Sequence, residues 1–142
     1  MKSIKLTLIL FSIFIFSSCS GSFLIQKSAE FEDKVWLVQS INYNDIPNSA
    51  GKIYLKFVRE EKKITGYGGC NNIVGSYSIT GSDIKITPSR SKETCSGLME
   101  TENQLMSVLE KASEFREFTS SDKDYLRFIT ADGSSIELRL KK

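Results

Sequence analysis

The sequence contains no histidine. That absence excludes Ser-His-Asp and Cys-His catalysis, histidine acid–base chemistry and most catalytic zinc sites. Cysteine is scarce as well, with three residues and no Cys-x-x-Cys pair. This argues against a dithiol redox activity and against a structural zinc site. An excess of one charge is missing too. There are 19 basic and 17 acidic side chains, and the surplus, Lys2 and Lys5, lies within the first few residues. The rest of the chain is balanced and carries no electrostatic footprint for nucleic acid or an anionic membrane surface. The apolar run over residues 6–16 falls short of the about 20 residues a spanning helix needs.

What the N-terminus does have is a recognisable order. Lys2 and Lys5 precede the apolar run, and Ser17 and Ser18 follow it. A basic start, an apolar stretch and small residues make the layout of a secretory signal. The stretch Phe16-Ser17-Ser18-Cys19 resembles a bacterial lipobox, with Phe16 where leucine is more usual. The reading is removal of residues 1–18 and acylation of Cys19, palmitate included; the alternative is a plain secreted protein. Two or more acyl chains anchor a protein stably. The expected location is the cell envelope, on the outer membrane facing the periplasm. Residues 19–32 read as a tether, and residues 33–142 as one domain, expected to be monomeric. With Cys19 acylated, Cys70 and Cys95 remain. An even pair outside the cytoplasm is expected to be bonded, and closing a loop of that length contributes about 3.5 kcal/mol in the chain-entropy model.

The hydrophobic pattern after residue 33 has period two for most of its length. Strands are expected over residues 34–41, 53–58, 63–67, 74–79, 84–87, 115–119, 125–131 and 135–140, from alternation and β-branched or aromatic content. Residues 42–51 and 88–92 read as irregular. Asp132-Gly133 marks a hairpin between the last two strands. The period changes once. Leu98, Leu105, Met106, Leu109 and Ala112 recur at helical steps, so one helix is expected over about residues 98–113, with Ser96 as its N-cap. Glu100 and Glu102 suit its positive end and Lys111 its negative end. No βαβ alternation occurs. The predicted fold class is therefore α+β: a strongly curved antiparallel sheet or partly open barrel of about eight short strands, with one packed helix.

Residues 66–72 read GYGGCNN. A phosphate-binding loop would need GxxxxGK[ST] opening a helix, and the dinucleotide fingerprint would need a third glycine where Asn71 stands. The reading is a structural turn. Gly66, Gly68 and Gly69 permit positive φ or close backbone approach. Asn71 and Asn72 tolerate left-handed conformations and cap turns; contact with a ligand is their alternative role. Trp36 reads as core at a strand start, with ligand contact as the alternative, and Tyr67 and Tyr77 as packing residues that flank a groove in the second reading. Glu60-Glu61 and Asp122/Asp124 sit in turn-like, solvated segments. No metal and no cofactor are expected.

Gly68-Gly69-Cys70-Asn71, then Gly75-Ser76-Tyr77, then Thr94-Cys95 before a helix with an acidic start, with Trp36 opening the domain, resembles the META domain, the HslJ-like family. The likeness covers about residues 33–140. Many members carry Thr-x-Met-Ala-Cys where this chain has Ser91-Lys92-Glu93-Thr94-Cys95. The resemblance implies a small α+β domain, often secreted or lipid-anchored and without established enzymatic activity, in a family linked to heat shock, drug resistance and secretion. The expected function is non-enzymatic: binding of a partner protein, an envelope component or a small apolar ligand, in the setting of stress tolerance. The alternatives are a hydrolase using serine, lysine or carboxylates, and a secretion or chaperone accessory.

Overall fold

The computed structural model describes residues 30–47 and 53–142. The signal segment 1–18, Cys19 and most of the tether lie outside the described residues. The elements run β1 (Val35–Ile41), β2 (Asn44–Asp45), β3 (Tyr54–Val58), β4 (Lys63–Tyr67), β5 (Asn72–Thr80), β6 (Asp83–Arg90), α1 (Met99–Lys111), β7 (Ala112–Ser120), β8 (Lys123–Thr130) and β9 (Ser135–Leu140). Every pairing is antiparallel, and β1 pairs with β9 as well as with β3, so eight strands close into a barrel. β2 is an extra two-residue strand on β1. The sheet is therefore closed along its hydrogen-bond ladder, because β1 bonds neighbours on both sides.

Alternation explains the core. Leu55 and Phe57 of β3, Ile84 and Ile86 of β6, Leu126 and Phe128 of β8, and Ile136 and Leu138 of β9 are all buried. On β1 the buried residues are Trp36, Val38 and then Ile41. The parity changes there because the β1–β9 register shifts between Val38 and Ser40, and one extra residue moves the following side chains to the opposite face. The interior is aromatic: Phe31, Phe57, Tyr77 and Phe128 pack ring against ring.

The weakest seam is β6–β7, with one register pair, Asp83 with Glu114. The helix covers it, since α1 links β6 to β7 and packs on β6, β8 and β9. The absence of a β7 partner beside the end of β6 also explains Pro88. Its nitrogen faces away from β5, because the Thr80–Asp83 hairpin pair sets a ladder in which Pro88 and Gly75 form a non-bonded pair. The segment expected to be irregular from residue 88 is therefore strand as far as Arg90.

Two further expectations change. The helix starts at Met99 with Leu98 in the N-cap position and no side-chain cap, so Ser96 does not cap it. It ends at Lys111, because Ala112 takes an extended conformation and pairs at once with Thr130. The folded unit also begins before residue 33. Phe31 and Glu32, assigned above to the tether, are buried, and the indole N–H of Trp36 donates to the Phe31 carbonyl at 2.8 Å.

Candidate functional site

The β4–β5 connection is the glycine-rich turn, residues 68–71. The Gly68 N–H donates to the Asn71 carbonyl at 2.9 Å and closes it. Gly69 has φ +107°, a conformation that glycine adopts at little steric cost. Gly66 and Gly68 serve close approach instead: a Cβ on Gly66 would meet the Tyr54 carbonyl at 2.2 Å, and one on Gly68 the Glu102 carboxylate at 2.6 Å. Asn71 and Asn72 do not adopt positive φ. Asn71 works through its side chain, whereas Asn72 is exposed and begins β5.

Glu102 organises this turn. Its side chain is fully buried. One carboxylate oxygen accepts from the backbone N–H groups of Cys70 (3.0 Å) and Asn71 (2.6 Å). The other accepts from the Asn71 amide (2.6 Å) and Arg90 (2.8 Å). Burial alone pushes its carboxyl up, but the Asn71 and Cys70 donors and Arg90 outweigh it and hold the group below its ordinary value. Asn71 continues the network: its oxygen accepts from Ser91 Oγ and from the Glu93 N–H at 2.9 and 2.7 Å. Cys70 and Cys95 are disulfide-bonded, so the segment before the helix is held to the turn both covalently and by hydrogen bonds. Glu102 was assigned to the helix dipole in the sequence reading. The missed signal was its place on the apolar stripe, four residues after Leu98 and three before Leu105, where a carboxylate needs a buried partner.

Tyr77 does not flank this turn. It lies in the barrel interior, and its hydroxyl donates to Glu32 at 2.5 Å. Glu32 is also buried, and Lys62 (2.6 Å) and Arg59 (3.2 Å) pair with it. Burial, followed by the Glu32 hydrogen bond and charge, pushes the Tyr77 hydroxyl up strongly. Trp36 is core, only 2% exposed, as expected; one side of it also reaches a cavity.

That cavity is at the barrel rim. It measures about 210 Å³ and is lined by Glu30, Lys34 and Trp36 on one side and by Glu117, Phe118, Thr119, Asp124 and Tyr125 of the β7–β8 hairpin on the other. Asp124 is thus a pocket residue, while Asp122 stays in the turn with φ +59°. Phe118 and Tyr125 stack at 5.3 Å, and Arg127 lies over Phe118. The Glu117 carboxylate accepts from the N–H groups of Phe31 and Glu30; desolvation and the neighbouring Glu30 nevertheless leave its carboxyl above the ordinary value. Glu117 and Glu30 went unnoticed in sequence, because nothing local marks residues that a barrel rim brings together. A shallower groove of about 530 Å³ runs past Asn71, Arg90, Glu93, Thr94, Met99 and Met106. Among the described residues no group of three or more metal-ligating side chains occurs, and no helix is long and apolar enough to cross a membrane.

The fold is similar to solved structures. A protein from Burkholderia xenovorans, determined by NMR, matches with a TM-score of 0.65 at 15% identity, over 79% of this chain and 84% of that one. A DUF4847 family protein from Bacteroides vulgatus matches with a TM-score of 0.58 at 13% identity, over 77% of this chain and 93% of that one. These likenesses concern the fold. Among curated proteins none matches this chain. The family model of the META domain matches residues 29–142, a span that takes in Phe31 and Glu32 before β1, the glycine turn, both bonded cysteines and the helix. The chain belongs to the META domain family.

Proposed function

We propose that this protein is a lipid-anchored envelope component whose META domain works by binding a partner protein or an envelope component at its surface. One observation carries the reading: the chemically distinctive groups of the glycine turn are consumed by internal bonds. Glu102 is used by four donors, Asn71 by five groups of the same network, and both cysteines by each other. No buried side-chain polar atom lacks a partner among the described residues. A fully satisfied network of this kind serves to make a rigid scaffold. The rings that occupy the barrel interior favour a surface partner over a small apolar ligand inside the barrel. The lipobox-like stretch ending at Cys19 supports the anchor.

Non-reducing mass spectrometry of the protein from its native membranes tests the anchor. The expected result is an acylated Cys19 as first residue together with an intact Cys70–Cys95 bond. An unacylated N-terminus would overturn it. Photo-crosslinking from rim and groove positions in living cells tests the binding reading, which predicts a discrete adduct.

A second reading, a hydrolase-type enzyme, rests on the raised Glu117 carboxyl beside Asp124 and Lys34 in the rim cavity. It predicts turnover of an ester or glycoside substrate that Glu117→Gln abolishes. The absence of turnover across such a panel removes it.

A further inference from the structure

Residues 30–33, the strap, precede β1 and pair with no strand among the described residues, yet they plug one end of the barrel. Phe31 has no exposed surface. Its ring stands among four others from four strands: Phe57 of β3 at 5.0 Å, Tyr77 of β5 at 6.5 Å, Phe115 of β7 at 5.0 Å and Phe128 of β8 at 6.1 Å. The contacts with Phe57, Phe115 and Phe128 are edge-to-face, a geometry that rewards an aromatic ring beyond the area it buries. Glu32 follows directly, and its buried carboxylate accepts from the Tyr77 hydroxyl and pairs with Lys62 and Arg59. Asp33 completes the set: its N–H donates to the Phe57 carbonyl at 2.7 Å, and its carboxylate accepts from the Arg59 N–H at 3.0 Å. The strap is thus held as a peptide ligand is held, with a ring in a socket, an acid on two cations and its main chain on the end of β3.

Two features set the strap apart from the rest of the core. The side chains of Lys62 and Arg59 are 50% and 45% exposed, so the ion pairs of Glu32 stand at the mouth of the socket. Asp33 has φ +62°, a left-handed conformation that costs an L residue, at the bend between strap and β1. Segments outside the sheet ladder open locally at a lower cost than the strands. We propose that residues 30–33 are an exchangeable ligand bound in cis, and that a partner protein docks by placing its own aromatic residue, followed by acids, where Phe31, Glu32 and Asp33 stand. This rests on the binding reading above and assigns it a place and a chemistry. The strap acts as an autoinhibitory latch, because a tethered segment competes at an effective concentration in the millimolar range. A partner displaces it by adding contacts outside the socket. Trp36 reports the state of the latch: its indole N–H, the one such group in the protein, donates to the Phe31 carbonyl.

The test uses the mature, disulfide-bonded protein, its Phe31→Ala variant and the capped peptide Glu-Phe-Glu-Asp-Lys, the sequence of the strap itself. Binding is followed by amide and indole NMR shifts. The expected result is saturable binding to Phe31→Ala that moves the Trp36 indole and the Phe57 and Tyr77 amides, at least about tenfold tighter than to the native protein, whose latch competes. Alanine in place of the peptide's phenylalanine is expected to abolish binding. Glutamine in place of the acid after the ring is expected to weaken it about tenfold, through loss of charge-assisted bonds. Phe31→Leu, which keeps most of the volume, takes the place of Phe31→Ala if that variant does not fold. Saturable binding absent, indifferent to the ring, or mapped to another surface overturns the proposal. Hydrogen exchange of the native protein tests the latch without a variant. The Trp36 indole N–H and the Asp33 amide are expected to exchange by local opening, faster than the amide of Leu138, whose strand is paired on both sides, and with little dependence on added urea. Exchange of all three by global unfolding overturns the latch. In cells, a partner adduct formed from Lys92 in the groove and not from Lys62 at the socket mouth would overturn this site and leave the binding reading standing.

Discussion

Glu102 on the helix accepts a 2.6 Å hydrogen bond from the backbone N–H of Asn71 and a second, also of 2.6 Å, from its side-chain amide. One carboxylate thus fixes both the conformation of the glycine turn and the rotamer of the asparagine that holds the segment before the helix. Helix, turn and disulfide form one unit, and removal of any part is felt by the others.

Glu102→Gln retains the shape but brings two donors into a site built of donors. At least one N–H of the turn loses its acceptor and Arg90 loses its charge partner. The expected loss is about 2–4 kcal/mol, read as a lower urea midpoint with an unchanged slope. An unchanged midpoint would show that the turn holds without the carboxylate.

The same residue sets an acid limit. The Glu102 carboxyl lies below its ordinary value of 4.5 in the folded protein, so the folded state favours its charged form. Its contribution is present above 4.5 and is lost as pH falls below that value toward the lowered folded one. Urea midpoints measured through this range should decline in the native protein and decline less in Glu102→Gln.

At Tyr77 the sign is reversed. Burial first, then the hydrogen bond and charge of Glu32, raise its hydroxyl far above the ordinary value of 10.0. The protonated form is favoured in the folded state, so its contribution is complete below 10.0 and is lost as pH rises above it. Ionisation of Tyr77, followed by ultraviolet absorbance, should accompany unfolding and not precede it. Tyr77→Phe removes a donor to a buried carboxylate and is expected to cost about 1–2 kcal/mol.

The two glycines at either end of the Cys70–Cys95 segment should behave differently on substitution by alanine. At Gly68 the new Cβ lies 2.6 Å from Glu102, and the carboxylate cannot retreat without breaking its bonds; the expected cost is about 2–3 kcal/mol. At Gly97, φ is +92° with nothing within 4 Å, so only backbone strain remains, about 1 kcal/mol. Thermal midpoints of the two variants should rank in that order.

Reduction of the Cys70–Cys95 bond, which spans 25 residues, should lower stability by about 3.5 kcal/mol in the chain-entropy model. The hydrogen bonds of Glu102 and Asn71 still join the same two segments, so the reduced protein is expected to stay folded, with near-native circular dichroism at moderate temperature. Loss of that signal on reduction would show that the hydrogen bonds follow from the disulfide.

Much of this fold was legible in the sequence because its causes are local. Period-two alternation placed β4 and β9 to the residue, as in Ile136, Leu138 and Leu140 against Glu137, Arg139 and Lys141. One change of period placed α1 to within two residues at each end. GYGGCNN read correctly as a turn, and its cysteine as one of a bonded pair. Tertiary structure decided what depends on distant residues meeting. Closure of the barrel needed β1 to find β9 across the whole chain, which no window of sequence expresses. The burial of Glu32 and Glu102 followed from partners 45 and 31 residues away, since a carboxylate enters a core only where donors already await it. The shortness of the β6–β7 seam arose because the β5–β6 hairpin turns at Ser82 and ends the seam there. Alternation and turn chemistry are properties of neighbouring residues, and the sequence determined them alone; closure, buried charge and the short seam are properties of the assembled barrel.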